Sequence, residues 1–133
     1  MRFSVIIPIL LLQSQPSQAG QQNYSCVVNQ ILELSEDGTM KQHSGIFAQL
    51  VGETFFVDRH SGAMKGLPFD TSAYKDVKLL DLGSSENSYK AIVTSHPPNM
   101  WVIYIYIAEH QKSLKKPFWG TDDGDKIFSG RCE

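Results

Sequence analysis

The sequence predicts an all-β domain of about eight antiparallel strands, in a small closed or nearly closed barrel or sandwich with one short helix. Three observations predict this class: short apolar segments recur along the chain, turn residues separate them at the short, regular spacing of antiparallel sheets, and only one segment has helical periodicity. The 133 residues, 41% of them apolar and 20% charged, suit one globular domain. They leave no room for a two-domain enzyme.

The N-terminus predicts export. Arg2 precedes an apolar run at 5–12, and small and polar residues follow as far as Ala19, which is the pattern of a secretory signal peptide. We therefore expect residues 1–19 to be a signal peptide and residues 20–133 to form a single periplasmic or secreted β-domain. The apolar run has eight residues, whereas a helix needs about 20 to span a bilayer, so no membrane span is expected.

Two cysteines lie near the ends of the expected domain, Cys26 close to its start and Cys132 one residue before its end. In an oxidising compartment, an even pair without metal-ligand spacing is most simply one disulfide; the alternative is two buried thiols. A bridge brings the two Cα atoms within about 7 Å, so the first and last strands would be neighbours. An even number of up-and-down strands achieves this and removes exposed sheet edges.

The first strand and the helix are expected early in the domain. Residues 24–34 alternate with the period of a strand, and the expected inward set is Tyr24, Cys26, Val28, Leu32 and Leu34. Apolar residues between His43 and Gly52 recur at helical spacing, which predicts a short helix that starts at Ser44 and ends at Gly52. A helix this short needs to pack against a sheet.

The remaining strands are separated by turn-rich connections. We expect them at residues 54–57, 63–66, 77–82, 88–95, 101–107, 116–121 and 126–131. Gly62 supplies a positive φ in the loop of the first hairpin of this set, and residues 122–125 turn the last one. The run at 101–107 is apolar on both parities, so we expect it to be the central strand, covered on both faces.

The candidate binding residues are Lys116, Phe118 and Trp119, which follow two further lysines, Lys112 and Lys115. Cationic groups beside aromatic rings suit anionic or sugar-bearing ligands, through charge attraction and stacking. The alternative is that the lysines protect an aggregation-prone strand and that the two aromatic residues belong to the core.

No pattern in the sequence indicates catalytic residues, a metal site or a cofactor. The Ser-x-x-Lys matches at Ser72 and Ser113 are about as frequent as chance predicts, and the chain has no G-x-S-x-G elbow. The four histidines lack ligand spacing, and the aspartates at 122–125 fail the register of a calcium loop. The formal charge of -2 also disfavours a nucleic-acid partner.

Several short motifs are found together in this chain. They are Tyr24-Ser25-Cys26, the turn from Leu34 to Gly38, Phe56-Val57-Asp58-Arg59-His60-Ser61-Gly62-Ala63-Met64-Lys65-Gly66, Lys116-Pro117-Phe118 and Ser129-Gly130-Arg131-Cys132. This set resembles small exported proteins of Gram-negative bacteria with an F-x-V-D-R-x-[ST]-G hairpin and a terminal S-G-x-C. The resemblance implies location and fold, because that group has no established activity. In architecture the domain is also similar to the periplasmic C-type lysozyme inhibitors, whose inhibitory loop signature it lacks.

These observations predict a non-catalytic binding module whose partner is a protein or an envelope polymer. Two alternatives stay open: a small hydrolase whose site forms only in the fold, and an assembly factor that lends a strand edge. A hydrolase would show a concave pocket with convergent polar groups, whereas a binding module would show an exposed aromatic or charged patch. A strand donor would show a long unpaired edge.

Overall fold

The computed structural model describes residues 23–73, 76–98 and 100–133. The expected signal peptide, residues 1–19, lies outside these ranges. The described residues form nine antiparallel strands and one 3-10 helix, Ile46–Leu50. The strands are β1 (Asn23–Leu34), β2 (Met40–Gln42), β3 (Thr54–Asp58), β4 (Met64–Lys65), β5 (Asp76–Leu82), β6 (Tyr89–Thr94), β7 (Val102–Ile107), β8 (Lys116–Asp122) and β9 (Lys126–Cys132).

All nine strands belong to one sheet that curls into a half-barrel. Their order is β4-β3-β1-β9-β8-β7-β6-β5, and β2 pairs with the end of β1. The curl brings distant strands together: the ring centroids of Tyr24 in β1 and Tyr89 in β6 are 5.1 Å apart, and those of Phe55 in β3 and Phe118 in β8 are 5.2 Å apart. The predicted fold class, a curled antiparallel sheet with one short helical segment, is confirmed.

The predicted disulfide is confirmed and lies between the first and last strands. Cys26 and Cys132 are direct partners in the β1–β9 ladder, their Cα atoms are 4.0 Å apart, and both are fully buried. The neighbouring residues extend this pairing, because the backbones of Ser25 and Glu133 exchange two hydrogen bonds of 2.8 and 2.9 Å. The start of β1 and the end of β9 are therefore fixed side by side.

The inward face of the curled sheet is filled by apolar side chains. Phe69, from the connection between β4 and β5, is fully buried and lies 5.0 Å from Phe55 and 5.3 Å from Phe128, centroid to centroid. The other buried residues of the core are Tyr24, Cys26, Val28, Ile31, Val57, Met64, Tyr89, Ala91, Val93, Ile103, Ile105, Ile107, Phe118 and Cys132. Edge-to-face ring contacts of this kind add to the burial of apolar area.

A β-bulge changes the expected inward set of β1. The ladder to β9 skips Asn29, since Val28 pairs with Gly130 and Gln30 pairs with Ser129. The skipped residue reverses the parity of the rest of the strand. Ile31 is therefore buried, whereas Leu32 is half-buried and Leu34 is exposed. The prediction that Leu32 and Leu34 face the core is wrong for this reason.

The helical segment differs from its prediction in type and in packing. It is a five-residue 3-10 helix preceded by Gly45, with no side-chain cap from Ser44, and none of its residues is fully buried. Ile46 is 77% exposed, and only Leu50 packs against the core. Five residues are too few for a stable α-helix. The helix ends at Leu50, two residues before the expected end, and Gly52 follows it with a positive φ of 91°.

The run at 101–107 forms β7, which is covered on one face only. Ile103, Ile105 and Ile107 are buried in the core, while Tyr104 and Tyr106 point outward and are half-buried. β7 is also third from the β5 edge of the sheet. The expectation of a central strand covered on both faces is thus wrong, because no second layer covers the outer face of β7 in the described residues.

Candidate functional site

The structure places the three candidate binding residues on different sides of β8. Phe118 points into the core and is 3% exposed, whereas Trp119 points outward and is 40% exposed. Successive strand residues alternate between faces. The ammonium of Lys116 donates a hydrogen bond to the carbonyl of Gln111 in the β7–β8 loop. Lys116, Phe118 and Trp119 therefore do not form one surface, and Trp119 alone among the aromatic pair is open to a ligand.

Trp119 is part of a group of three aromatic rings on the outer face, which we call the aromatic platform: Tyr104, Tyr106 and Trp119. Tyr106 is the ladder partner of Trp119, and their ring centroids lie 6.1 Å apart with planes inclined by 23°. The Tyr104 ring is 5.2 Å from the Trp119 ring. Burial raises the pKa of the Tyr104 hydroxyl, and the neighbouring Tyr106 adds to this effect. The Tyr104 hydroxyl is thus neutral across the physiological pH range.

An apolar hollow adjoins the platform, on the side toward β1 and β2. Its volume is about 260 Å³, and Leu34, Met40 and Ile127 line it together with Trp119. Leu34 and Met40 are ladder partners and are 50% and 40% exposed. The rim carries Lys126, which is bonded to Asp125 at 2.9 Å. The outer face therefore continues the exposed apolar surface beyond the three rings.

Sequence reasoning identified Trp119 but missed its two tyrosine neighbours. The available signal was the alternation within 102–107, in which isoleucines occupy one parity and tyrosines the other. Isoleucine and tyrosine are both frequent in buried strands, so the sequence at 101–107 indicates two apolar faces. The register of β7 against β8, which brings the tyrosines to Trp119, is a tertiary feature.

A partly buried polar cluster joins Tyr24, near the start of β1, to the segments that follow β3 and β7. The Tyr24 hydroxyl donates a 2.6 Å hydrogen bond to the Glu109 carboxylate, which also forms a 3.4 Å ion pair with Arg59. The Arg59 guanidinium lies 5.3 Å from the centroid of the Tyr24 ring. Burial, together with Glu109, raises the pKa of Tyr24 well above its usual range. Because every group in this cluster has a partner, its geometry is that of a structural network of hydrogen bonds and ion pairs.

A second polar cluster lies near the opposite end of β1. His43, whose side chain is 10% exposed, is bonded through Nδ1 to the Glu33 carboxylate. Its Nε2 is buried and has no hydrogen-bond partner among the described residues. Lys126 pairs with Glu33 in the ladder, and its ammonium lies 4.9 Å from the centroid of the Phe47 ring. A histidine–carboxylate pair resembles part of a catalytic triad, but the described residues place no nucleophile at Nε2.

Asp122 gives this end of the domain a measurable pH dependence. Burial raises the pKa of its carboxyl, with the nearby Asp123 and Asp125 adding to the effect and Lys126 opposing it. The pKa of Asp122 is higher in the folded state than its value of about 3.9 in the unfolded state. Its contribution to stability is therefore fully present below a pH of about 3.9 and is lost as the pH rises through the folded-state pKa. The variant Asp122→Asn should therefore melt about 2–4 °C above the parent protein at pH 7.

Thermal melts followed by circular dichroism at pH 7 and pH 3 check this expectation. The advantage of Asp122→Asn should vanish at pH 3, where the parent carboxyl is protonated. Asp125→Asn is the matched control, because Lys126 lowers the pKa of Asp125, so this variant should lose stability at pH 7 and approach the parent at pH 3. A lower melting temperature for Asp122→Asn at pH 7 would contradict the assignment.

The two outer strands of the sheet differ in how their edges are protected. Both backbone polar groups of Met64 in β4 are bonded to Thr71: the amide donates to the hydroxyl at 2.8 Å and the carbonyl accepts from the Thr71 amide at 2.9 Å. β5 has no partner on its outer side among the described residues. A β-bulge between Leu79 and Asp81 interrupts it, and bulges are a common device against strand addition.

A hollow of about 550 Å³ adjoins the β3–β4 hairpin. Phe56, which is 47% exposed, lies beside it together with Asp58 and Lys65. The Asp58 carboxylate accepts hydrogen bonds from the amides of His60 and Ser61, so it stabilises the hairpin loop. The carboxylate that lines this hollow thus has a structural role in the loop.

The chain matches no model of a protein family, no curated protein and no solved structure at a significant level. The resemblance to small exported proteins of Gram-negative bacteria therefore stays a prediction. In the ranges that the structure describes, no histidine, cysteine and carboxylate side chains cluster as a metal site would require. Those ranges also contain no helix with the length and apolar character to cross a membrane.

Proposed function

We propose that this chain is an exported, non-catalytic binding module whose ligand, an envelope polymer or a protein, docks on the aromatic platform. The observation that carries the proposal is the position of the three rings. The outer face of a single antiparallel sheet normally carries polar side chains toward water. A contiguous exposed group of aromatic residues on such a face is typical of a recognition surface.

Export is supported by the covalent chemistry of the domain. A buried structural disulfide forms and persists in oxidising compartments, and the sequence before Gly20 has the pattern of a signal peptide. Expression of the full chain in a Gram-negative host should place the protein in the periplasmic fraction or the medium, with a mass that corresponds to cleavage after Ala19. Recovery of the uncleaved chain in the cytoplasm would contradict export.

Binding is tested with the protein purified after expression of the full chain and with washed, insoluble cell envelopes from a Gram-negative bacterium. The parent protein should sediment with the envelopes. Trp119→Ala should bind at least about tenfold more weakly, because a central aromatic anchor contributes about 2 kcal/mol or more. The amount of protein in the pellet, measured over a range of envelope concentrations, gives the comparison.

Phe56→Ala is the matched control. Phe56 is an aromatic residue of similar exposure on β3, and its removal should leave sedimentation unchanged. Circular dichroism melts establish that both variants are folded. Equal sedimentation of Trp119→Ala and the parent would contradict the platform as the binding surface, and so would loss of sedimentation in Phe56→Ala alone.

A further inference from the structure

We infer that the ligand of the aromatic platform is a glycan chain bearing carboxylate groups, which lies across the strands of the outer face. This inference rests on the proposed function and names its ligand class. It follows from a row of aromatic and hydrogen-bonding side chains that crosses the sheet between unpaired cations.

The row is defined by the ladder registers. Trp119 pairs with Tyr106 on one side and with Ser129 on the other. The row extends from Gln30, beyond Ser129, to Lys90, beyond Tyr106, and the edge strand β5 then places Asp81 opposite Lys90. It crosses four strand spacings of about 4.8 Å, roughly 19 Å in all. Its centre offers two rings, while its ends offer an ammonium, a hydroxyl and an amide. A short run of sugar units presents the complementary groups, namely ring C–H faces and hydroxyls, in one line.

The row and its flanks carry the cations Lys78, Lys90 and Arg131, and the carboxylate of Asp81 lies opposite Lys90, whereas the whole chain has a formal charge of -2. Lys78 lies one row away, opposite Ile92, and Arg131 follows two residues after Ser129. Neither of them, nor Lys90, forms an ion pair with a carboxylate among the described residues. The ladder partner of Lys90, Asp81, instead accepts a hydrogen bond from the Gly83 amide. Unpaired cations around a neutral aromatic centre attract an anionic ligand.

A protein ligand would contact a different part of the outer face. Protein interfaces have a compact apolar core with a polar rim, and the place for such a core is the hollow lined by Leu34, Met40 and Ile127. In that case the hollow, and not the row, would carry the affinity. Trp119 belongs to both the row and the hollow, but the cations Lys78, Lys90 and Arg131 lie on other strands than Leu34 and Met40. Substitutions at the cations and at Met40 therefore distinguish the two ligand classes.

The test uses two soluble polymers with one backbone, polygalacturonate and its fully methyl-esterified form, which has lost the carboxylate charge. Affinity electrophoresis and calorimetry should show that polygalacturonate binds. Its affinity should fall by about tenfold as the salt concentration rises from 50 to 500 mM, because salt screens a few charge contacts. The esterified polymer should bind at least about tenfold more weakly. Lys90→Gln combined with Lys78→Gln should weaken binding of polygalacturonate by about tenfold and remove most of the salt dependence.

The controls separate this inference from the proposed function. Lys41→Gln removes an exposed lysine of β2 that is paired with Asp37 in the preceding turn. Met40→Gln alters the hollow. Neither variant should change binding of polygalacturonate. Equal affinity for both polymers, or binding of neither, overturns the inference. If envelope sedimentation still depends on Trp119 in that event, the proposed function stands with another ligand class. Sedimentation that is lost after protease treatment of the envelopes, or in Met40→Gln, would assign a protein ligand.

Discussion

Removal of the Cys26–Cys132 bridge should lower the free energy of unfolding by about 4–5 kcal/mol. The bridge joins residues separated by 106 positions, and in the chain-entropy model closure of a loop of about 100 residues contributes about 4.7 kcal/mol. Both sulfurs are also fully buried. A loss of this size should lower the melting temperature by about 20 °C or more in a domain of this length.

Thermal melts of oxidised protein, reduced protein and the double variant Cys26→Ala/Cys132→Ala measure the effect. The double variant serves as the control for the reductant, since its melting temperature should not change when reductant is added. A reduced protein that melts within about 5 °C of the oxidised one would show that the β1–β9 ladder keeps the two strands paired without the bridge.

Gly130→Ala should prevent folding, or cost more than about 4 kcal/mol of stability, because the structure has no space for its methyl group. A Cβ at residue 130 would lie 1.9 Å from the carbonyl oxygen of Val27 and 2.8 Å from the ring of Phe118. Neither neighbour can move freely. Val27 pairs with both β3 and β9, and Phe118 is held in the core by Phe55.

Soluble yield and melting temperature compare Gly130→Ala with Gly124→Ala. A Cβ at Gly124 would have the flexible Asp122 carboxylate, at 3.4 Å, as its closest contact, so this control should fold and melt within about 5 °C of the parent. A Gly130→Ala protein that melts as the control does would show that the approach of β1 to β9 at the bulge is looser than the structure indicates.

The sequence was sufficient to predict the features of this fold that depend on local pattern and on covalent chemistry. Alternation and turn residues located most strands within a few positions, and the cysteine pair indicated which strands adjoin. The bulge at Asn29 was not predictable in the same way. Ile31 and Leu32 are both apolar, so either could face the core, and the choice depends on how β9 pairs across the bulge.

The candidate site shows the same division. That Phe118 and Trp119 face opposite sides follows from strand geometry alone, so their separation could have been predicted from the strand assignment. The association of Trp119 with Tyr106 could not, because it depends on the register between β7 and β8. The His43–Glu33 contact likewise joins residues ten positions apart through the pairing of β2 with β1.

Four phenylalanine rings meet edge to face inside the curl. Their packing bears on where this molecule can bind a ligand. Phe55, Phe69, Phe118 and Phe128 occupy the space that wider barrels leave as a lumen. In the ranges that the structure describes, these rings fill the inside of the curl, so we expect recognition to take place on the outer face. Substitutions that change what it recognises and substitutions that change how it holds together should consequently fall on opposite parities of the same strands.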